Sequence, residues 1–106
     1  MIHVIATIEL HPGRREDFLR EFHRIVPPVL AEQGCLEYGP TVDVDTGLSA
    51  QTPLRADVVT IVEKWESLEA LQAHGVSPHM QAWRERVRSH MVRTTIQVLE
   101  PAGEPA

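Results

Sequence analysis

The sequence contains few of the residues that several structural and functional classes require. Cys35 is the only cysteine, so an intramolecular disulfide is excluded. Lys64 is the only lysine, and 15 acidic residues outnumber 10 basic ones, which gives a net charge of -5. This balance argues against sequence-independent nucleic-acid binding, which requires a basic surface. No segment approaches the roughly 20 apolar residues that a membrane-spanning helix needs.

The length and the N-terminus define the expected organisation. We predict one domain over residues 1–100 and a flexible tail over residues 101–106. The N-terminus lacks the basic segment and unbroken apolar run of a secretory signal, so we expect a cytoplasmic protein. A chain of this length buries only about two-thirds of its unfolded surface, and dimerisation is a natural way to bury more.

The first half of the sequence changes from a strand pattern to a helix pattern. Residues 2–10 alternate and are rich in β-branched side chains, which predicts a strand. The apolar residues that follow recur at helical spacing, which predicts a helix to about Val26. Pro27 and Pro28 are expected to kink or interrupt it, with one more turn reaching Glu32, because each proline removes a backbone donor and crowds the preceding turn.

The second half predicts three more strands and two short helices. Residues 35–44 read as a strand weakened by a proline, which an edge position would accommodate. Residues 45–56 form a polar loop that is either mobile or a lid. The remaining predictions are a strand over 57–65, a helix capped by Ser67 and ended by Gly75, a helix capped by Ser77 with Pro78 at its first position, and a strand over 92–100.

The element order βαββαβ predicts an α+β, ferredoxin-like fold. This fold has a four-stranded antiparallel sheet with the helices on one face. The opposite face would carry Ile5 and Thr7 among residues that are not uniformly polar. A half-apolar face on a small domain predicts a second copy packed sheet to sheet.

Three segments resemble the antibiotic biosynthesis monooxygenase family of the dimeric α/β-barrel superfamily. They are IATIELHPGRREDFLREF, EQGCLEYGPTVD and VEKWESLEALQAHGVSPHMQAW. Family members tend to show a Glu-x-Trp strand end, an Ala-Leu pair, a histidine and a Ser/Thr-Pro-His motif. The matching positions here are Glu63, Trp65, Ala70, Leu71, His74 and Ser77-Pro78-His79. The resemblance covers nearly the whole chain and implies a dimeric α/β barrel.

The resemblance also implies an activity. Known activities of the family include the oxygenation of quinols and polyketide anthrones without a cofactor. A sister branch of the same fold degrades haem with an Asn, a Trp and a His. This sequence has no asparagine, His74 stands where that branch has its tryptophan, and Arg84 falls near the position of its iron-ligating histidine. We therefore expect no haem degradation.

His74 is the residue most suited to chemistry, because a neutral imidazole can act as a general base near pH 7. Arg84 and Tyr38 are candidates for stabilising a developing anion. Each has a structural alternative: a carbonyl contact for the histidine, a salt bridge for the arginine and simple packing for the tyrosine. As a metal-binding pair, His74 and His79 lack a third ligand of obvious spacing, so we predict no metal.

Four further residues are expected to bind the substrate, namely Trp65, Trp83, His79 and Glu63. Trp65 is alternatively a core or dimer-interface anchor, and Trp83 a core residue. Glu63 is expected to pair with an arginine, and His79 to cap, pack or hydrogen-bond within the fold.

The functional prediction is a homodimeric monooxygenase that uses dioxygen, needs no cofactor and acts on an electron-rich aromatic such as a quinol or anthrone. Two alternatives stay open. One is a non-catalytic dimer that binds small molecules or serves in stress. The other is an isomerase or decarboxylase in which a histidine shuttles a proton.

Overall fold

The computed structural model describes residues 1–103 and contains four strands and three α-helices. In chain order the elements are β1 (Ile2–Leu10), α1 (Arg15–Leu30), β2 (Cys35–Thr41), β3 (Val58–Trp65), α2 (Leu68–Gly75), α3 (Pro78–Val87), a 3₁₀ turn (Arg88–His90) and β4 (Met91–Leu99). The predicted tail lies partly outside the described residues, and 101–103 form no helix or strand.

The sheet has the strand order β2-β3-β1-β4, with every neighbouring pair antiparallel. This arrangement confirms the ferredoxin-like prediction. The alternation in β1 places Val4, Ala6 and Ile8 on the helix side, where each is buried. Ile5 and Thr7 point to the opposite face, as their spacing predicts.

The prediction that the prolines interrupt α1 is wrong. The helix runs without a break to Leu30, with Pro27 and Pro28 inside it. The turn continues because the amide of Ala31 donates to the carbonyl of Pro27 at 3.1 Å. Val29 is completely buried in this turn, so packing offsets the two backbone donors that the prolines lack.

The predicted edge position of β2 is confirmed, and the strand is shorter than expected. It pairs only with β3, ends at Thr41 rather than residue 44, and shifts register between Cys35 and Glu37. Pro40 is tolerated because an edge strand has one free side. Beyond the strand, Arg55 clamps the loop by donating from its guanidinium to both carboxylate oxygens of Asp43, at 2.9 and 2.8 Å.

The corner between β3 and α3 sets the orientation of the histidines. Ser67 caps α2 as predicted, accepting a hydrogen bond from the amide of Ala70 at 3.2 Å. Ser77 is the N-cap residue of α3 with Pro78 following it, as predicted, but its side chain makes no capping hydrogen bond. Its hydroxyl instead donates to the carbonyl of His74 at 2.8 Å, which ties the end of α2 to the start of α3.

The helices leave two surfaces of the sheet uncovered. Strand β4 is exposed along most of its length, with Ile96 at 59% and Val98 at 45% exposure. Both residues share the helix-side face with Ala6 and Val4, their partners in β1. The opposite sheet face has no covering layer within residues 1–103. No helix within residues 1–103 is long and apolar enough to cross a membrane.

Candidate functional site

A cavity of about 350 Å³ lies between the helices and the helix-side face of the sheet. Most of its wall is apolar, and β1, α2, α3 and β4 contribute the most residues to it. The polar groups of the wall are Tyr38, Glu63, His74, Arg84 and Thr94. An apolar cavity of this size with a few polar groups is typical of a site for a small organic molecule.

An aromatic cluster forms one side of the cavity. The ring of Phe22 stacks on Tyr38 with centroids 5.3 Å apart and 15° between planes. Trp83 meets the edges of Phe18 and Phe22, both at 5.6 Å. Trp83 is therefore both a core residue and part of the cavity wall. The interlocked rings hold Tyr38 in a fixed orientation.

His74 lies in the last turn of α2 and is 5% exposed. Its ring centroid is 4.7 Å from that of Trp65 and 5.3 Å from that of Tyr38. Its Nδ1 atom is 2.8 Å from Oε2 of Glu32. An ionised carboxylate can only accept, so Nδ1–H donates and Nε2 stays free to accept a proton. The contact thus selects the tautomer that a general base requires.

Glu32 also binds the second histidine. Its Oε2 is 2.8 Å from Nε2 of His79, which lies 3.3 Å from the hydroxyl of Ser77. One carboxylate therefore joins the turn after α1 to both α2 and α3. Sequence reasoning missed Glu32, because 42 positions separate it from His74. The only available signal was its place in the EQGCLEYGPTVD segment.

Glu63 binds a tryptophan, and the predicted arginine partner is wrong. Oε1 of Glu63 accepts a hydrogen bond from Nε1 of Trp65 at 2.9 Å. Burial raises the pKa of the Glu63 carboxyl, whereas the Trp65 hydrogen bond and the nearby His74 lower it. Trp65 is completely buried, which excludes its alternative role as an interface anchor.

Tyr38 and Arg84 present two hydrogen-bond donors at the cavity wall. Burial raises the pKa of the Tyr38 hydroxyl far above its usual range, and the charges of Glu63 and Glu32 add to the effect. The hydroxyl is consequently protonated at neutral pH. Nη2 of Arg84 donates to the carbonyl of Gly75 at 2.8 Å, which holds the guanidinium beside the last turn of α2.

The cavity wall contains most of the predicted site residues. His74, Arg84, Tyr38, Trp83 and Glu63 belong to it, whereas Trp65 and His79 do not. The Trp65 ring packs against the ring of His74, and His79 contacts Oε2 of Glu32. The loop over residues 45–56, considered above as a lid, contributes nothing to the wall.

Comparison with known proteins agrees with this architecture. The family model described as antibiotic biosynthesis monooxygenase matches residues 1–86. A relative from Escherichia coli K12, named probable quinol monooxygenase YgiN, is 41% identical over 103 residues. The alignment covers 95% of this chain and 98% of the relative.

Solved structures share the same fold. Rv0793 from Mycobacterium tuberculosis superposes with a TM-score of 0.78 at 25% identity, covering 99% of this chain and 98% of that protein. PA3566 from Pseudomonas aeruginosa gives a TM-score of 0.77 at 25% identity, covering 96% and 94%. The chain therefore belongs to the antibiotic biosynthesis monooxygenase family.

Proposed function

We propose that this protein is a monooxygenase that oxidises an electron-rich aromatic, of the quinol or anthrone class, without a cofactor. The observation that carries the proposal is the orientation of His74. Glu32 holds its Nδ1 atom, and the ring forms part of the wall of an apolar cavity. The name of the Escherichia coli relative, probable quinol monooxygenase, supports the quinol class.

The proposed reaction begins with a proton transfer. Nε2 of His74 removes a proton from an acidic hydroxyl or ring carbon of the substrate, giving an anion. The anion passes one electron to dioxygen, and the resulting radical pair joins through a new carbon–oxygen bond. For an anthrone, the ring CH₂ group becomes a carbonyl, and the second oxygen atom leaves as water with both hydrogens.

The other residues of the wall stabilise the anion and exclude water. The protonated hydroxyl of Tyr38 can donate to an oxyanion, and the guanidinium of Arg84 supplies a fixed positive charge. Trp83 forms a flat wall against which an aromatic ring can pack. Their electrostatic interaction with an oxyanion is stronger than in water because the rest of the cavity wall is mostly apolar.

Oxygen uptake tests the proposal directly. The purified protein is incubated with menadiol or an anthrone in aerated buffer, and oxygen consumption is compared with the spontaneous rate. We expect His74→Ala to lower the enzymatic rate by roughly two orders of magnitude or more. His23→Ala, which removes an exposed histidine from α1, is the matched control and should keep the wild-type rate.

Two results would contradict this assignment. An absence of uptake above the spontaneous rate across a panel of quinols and anthrones would exclude the monooxygenase. A His74→Ala variant that turns over at the wild-type rate would exclude the base. Tryptophan quenching by these compounds without any product would instead favour the non-catalytic binding protein.

We also propose that two copies associate through the sheet face that carries Ile5. No helix or strand of the described part of the chain covers this face, and alternate residues of β1 point to it. A second sheet packed against it would bury the apolar side chains and complete a barrel. Light scattering should give twice the chain mass at micromolar concentration, and a monomer would contradict the proposal. The cytoplasmic location stays a prediction.

A second candidate function follows from the contact between His74 and Glu32. A histidine held by a carboxylate can move a proton between two substrate atoms without oxygen. An isomerase or decarboxylase would therefore keep its activity under anaerobic conditions, whereas the oxygenase would lose it.

A further inference from the structure

Three potential metal ligands converge behind the cavity. Oε2 of Glu32 lies 2.8 Å from Nδ1 of His74 and 2.8 Å from Nε2 of His79. The three ligand atoms all lie within 4.8 Å of one another. They come from the turn after α1, the end of α2 and the start of α3. The bond between Ser77 and the His74 carbonyl fixes the corner that brings the two histidines together.

The charge of this group is incompletely compensated. The Glu32 side chain is only 15% exposed, and within residues 1–103 its ion-pair contacts are the two imidazoles. No arginine or lysine in that part of the chain lies within ion-pair distance of its carboxylate. Neither partner is a permanently charged side chain, so the carboxylate can serve as a metal ligand together with the two imidazoles.

We propose that Glu32, His74 and His79 bind one divalent transition-metal ion of the zinc type. Two imidazole nitrogens and one carboxylate oxygen are a ligand set of three-residue zinc sites, in which water takes the fourth position. The two nitrogens disfavour magnesium and calcium, which prefer oxygen ligands. The site shares His74 with the proposed base, but Glu32 and His79 lie outside the cavity wall, so zinc binding in a His79 variant is measured without altering that wall.

The required rearrangement is small. Tetrahedral zinc with bonds near 2.0–2.1 Å separates its ligand atoms by about 3.3 Å. The two contacts of 2.8 Å must therefore widen by about half an ångström, and the two histidine nitrogens, which lie within 4.8 Å of each other, must come to the same separation of about 3.3 Å. His79 is the residue able to move, because its side chain is 31% exposed whereas that of His74 is 6% exposed. Its exposed edge also gives an ion a route from solvent.

Metal binding would join three elements by coordination bonds. The ion takes the place of the imidazole hydrogens that now point at Glu32, and the single proton of each neutral ring moves to its other nitrogen. Because a preformed site does not exist in the unfolded chain, an ion bound here stabilises the folded state. Zinc should therefore raise the melting temperature as well as bind stoichiometrically.

The test uses full-length protein treated with a chelator and then titrated with zinc chloride by calorimetry. We expect one zinc ion per chain and a raised melting temperature, both lost in His79→Gln and Glu32→Gln. His23→Gln is the matched control and should bind zinc like the wild type. Circular dichroism of each variant without metal establishes that it is folded.

Cobalt(II) provides a second measurement that does not depend on any variant. Cobalt bound at this site should give the visible absorption of a four- or five-coordinate ion with nitrogen ligands, and zinc should remove that absorption. The proposal is overturned if the wild type binds no zinc stoichiometrically. It is also overturned if His79→Gln, folded, retains full binding, or if bound cobalt shows only the six-coordinate spectrum of the aqueous ion.

Discussion

Gly34 is the position where a single methyl group should have the largest effect on the packing behind the site. Its φ is +85°, and a Cβ atom added there would lie 2.6 Å from the Cβ of Ala70. The Cβ of Ala70 is fixed to the backbone of α2, so the clash cannot be relieved by rotating a side chain. Gly34 also holds the start of the α2 segment, since its carbonyl accepts from the amide of Glu66 at 2.8 Å.

The cost of Gly34→Ala has two parts. A left-handed backbone costs a non-glycine residue roughly 1–2 kcal/mol. Overpacking adds about 1–3 kcal/mol. Gly13→Ala is a matched control, because Gly13 has a φ of +81° and nothing within 4 Å of the added atom. The control should show only the backbone cost, so Gly34→Ala should exceed it by about 1–3 kcal/mol.

The free energy of unfolding of both variants is measured by urea titration with tryptophan fluorescence. All titrations use the same chain concentration, because association between copies changes the apparent stability with concentration. Repeating Gly34→Ala in an Ala70→Gly background isolates the contact. Removing the Ala70 methyl should abolish the excess cost and leave the backbone cost unchanged. The reasoning is refuted if Gly34→Ala costs no more than Gly13→Ala, or if the excess cost persists in the Ala70→Gly background.

Three further predictions concern Cys35, Glu63 and Phe22. Burial, together with the charges of Glu32 and Glu63, raises the pKa of the Cys35 thiol to about 11. The reaction of this thiol with a disulfide reagent should therefore be slow at pH 8 and accelerate toward pH 11. A fast reaction at pH 7 would contradict the prediction. Burial raises the pKa of Glu63 in the folded protein above its ordinary value of 4.5. The free energy of unfolding should therefore fall as the pH rises from about 4.5 through the raised pKa of the folded state. Glu63→Gln, which keeps an acceptor for Trp65, should unfold at higher urea than the wild type at pH 7 and lose this advantage below about pH 4.5. Phe22 is fully buried and contacts Tyr38 and Trp83. Phe22→Ala should therefore lower the free energy of unfolding, measured by urea titration, by about 3–5 kcal/mol. A loss below about 1 kcal/mol would show that the aromatic cluster repacks.

The order and type of the elements could be predicted from the sequence because they follow from local rules. Alternation assigned the buried side of β1, and helical spacing placed Phe18 and Phe22 on the buried face of α1. The predicted interruption at Pro27 and Pro28 was wrong because it followed from the missing backbone donors alone. The burial of Val29, which stabilises this turn, cannot be derived from local sequence. The position of the Ser77 cap was predicted correctly, but its hydroxyl makes no capping bond because it donates instead to the carbonyl of His74.

The sequence by itself thus determined the fold family and the layer of helices, and it named His74 as the candidate base. Only the tertiary structure decided which group faces that histidine. Glu32 precedes it by 42 positions and reaches it because α1 ends over the corner where α2 meets α3. Likewise, only packing decided that Trp65 is enclosed by the core while Trp83 reaches the cavity. Periodicity specifies which face a residue occupies, whereas the partner it meets there depends on how distant elements pack.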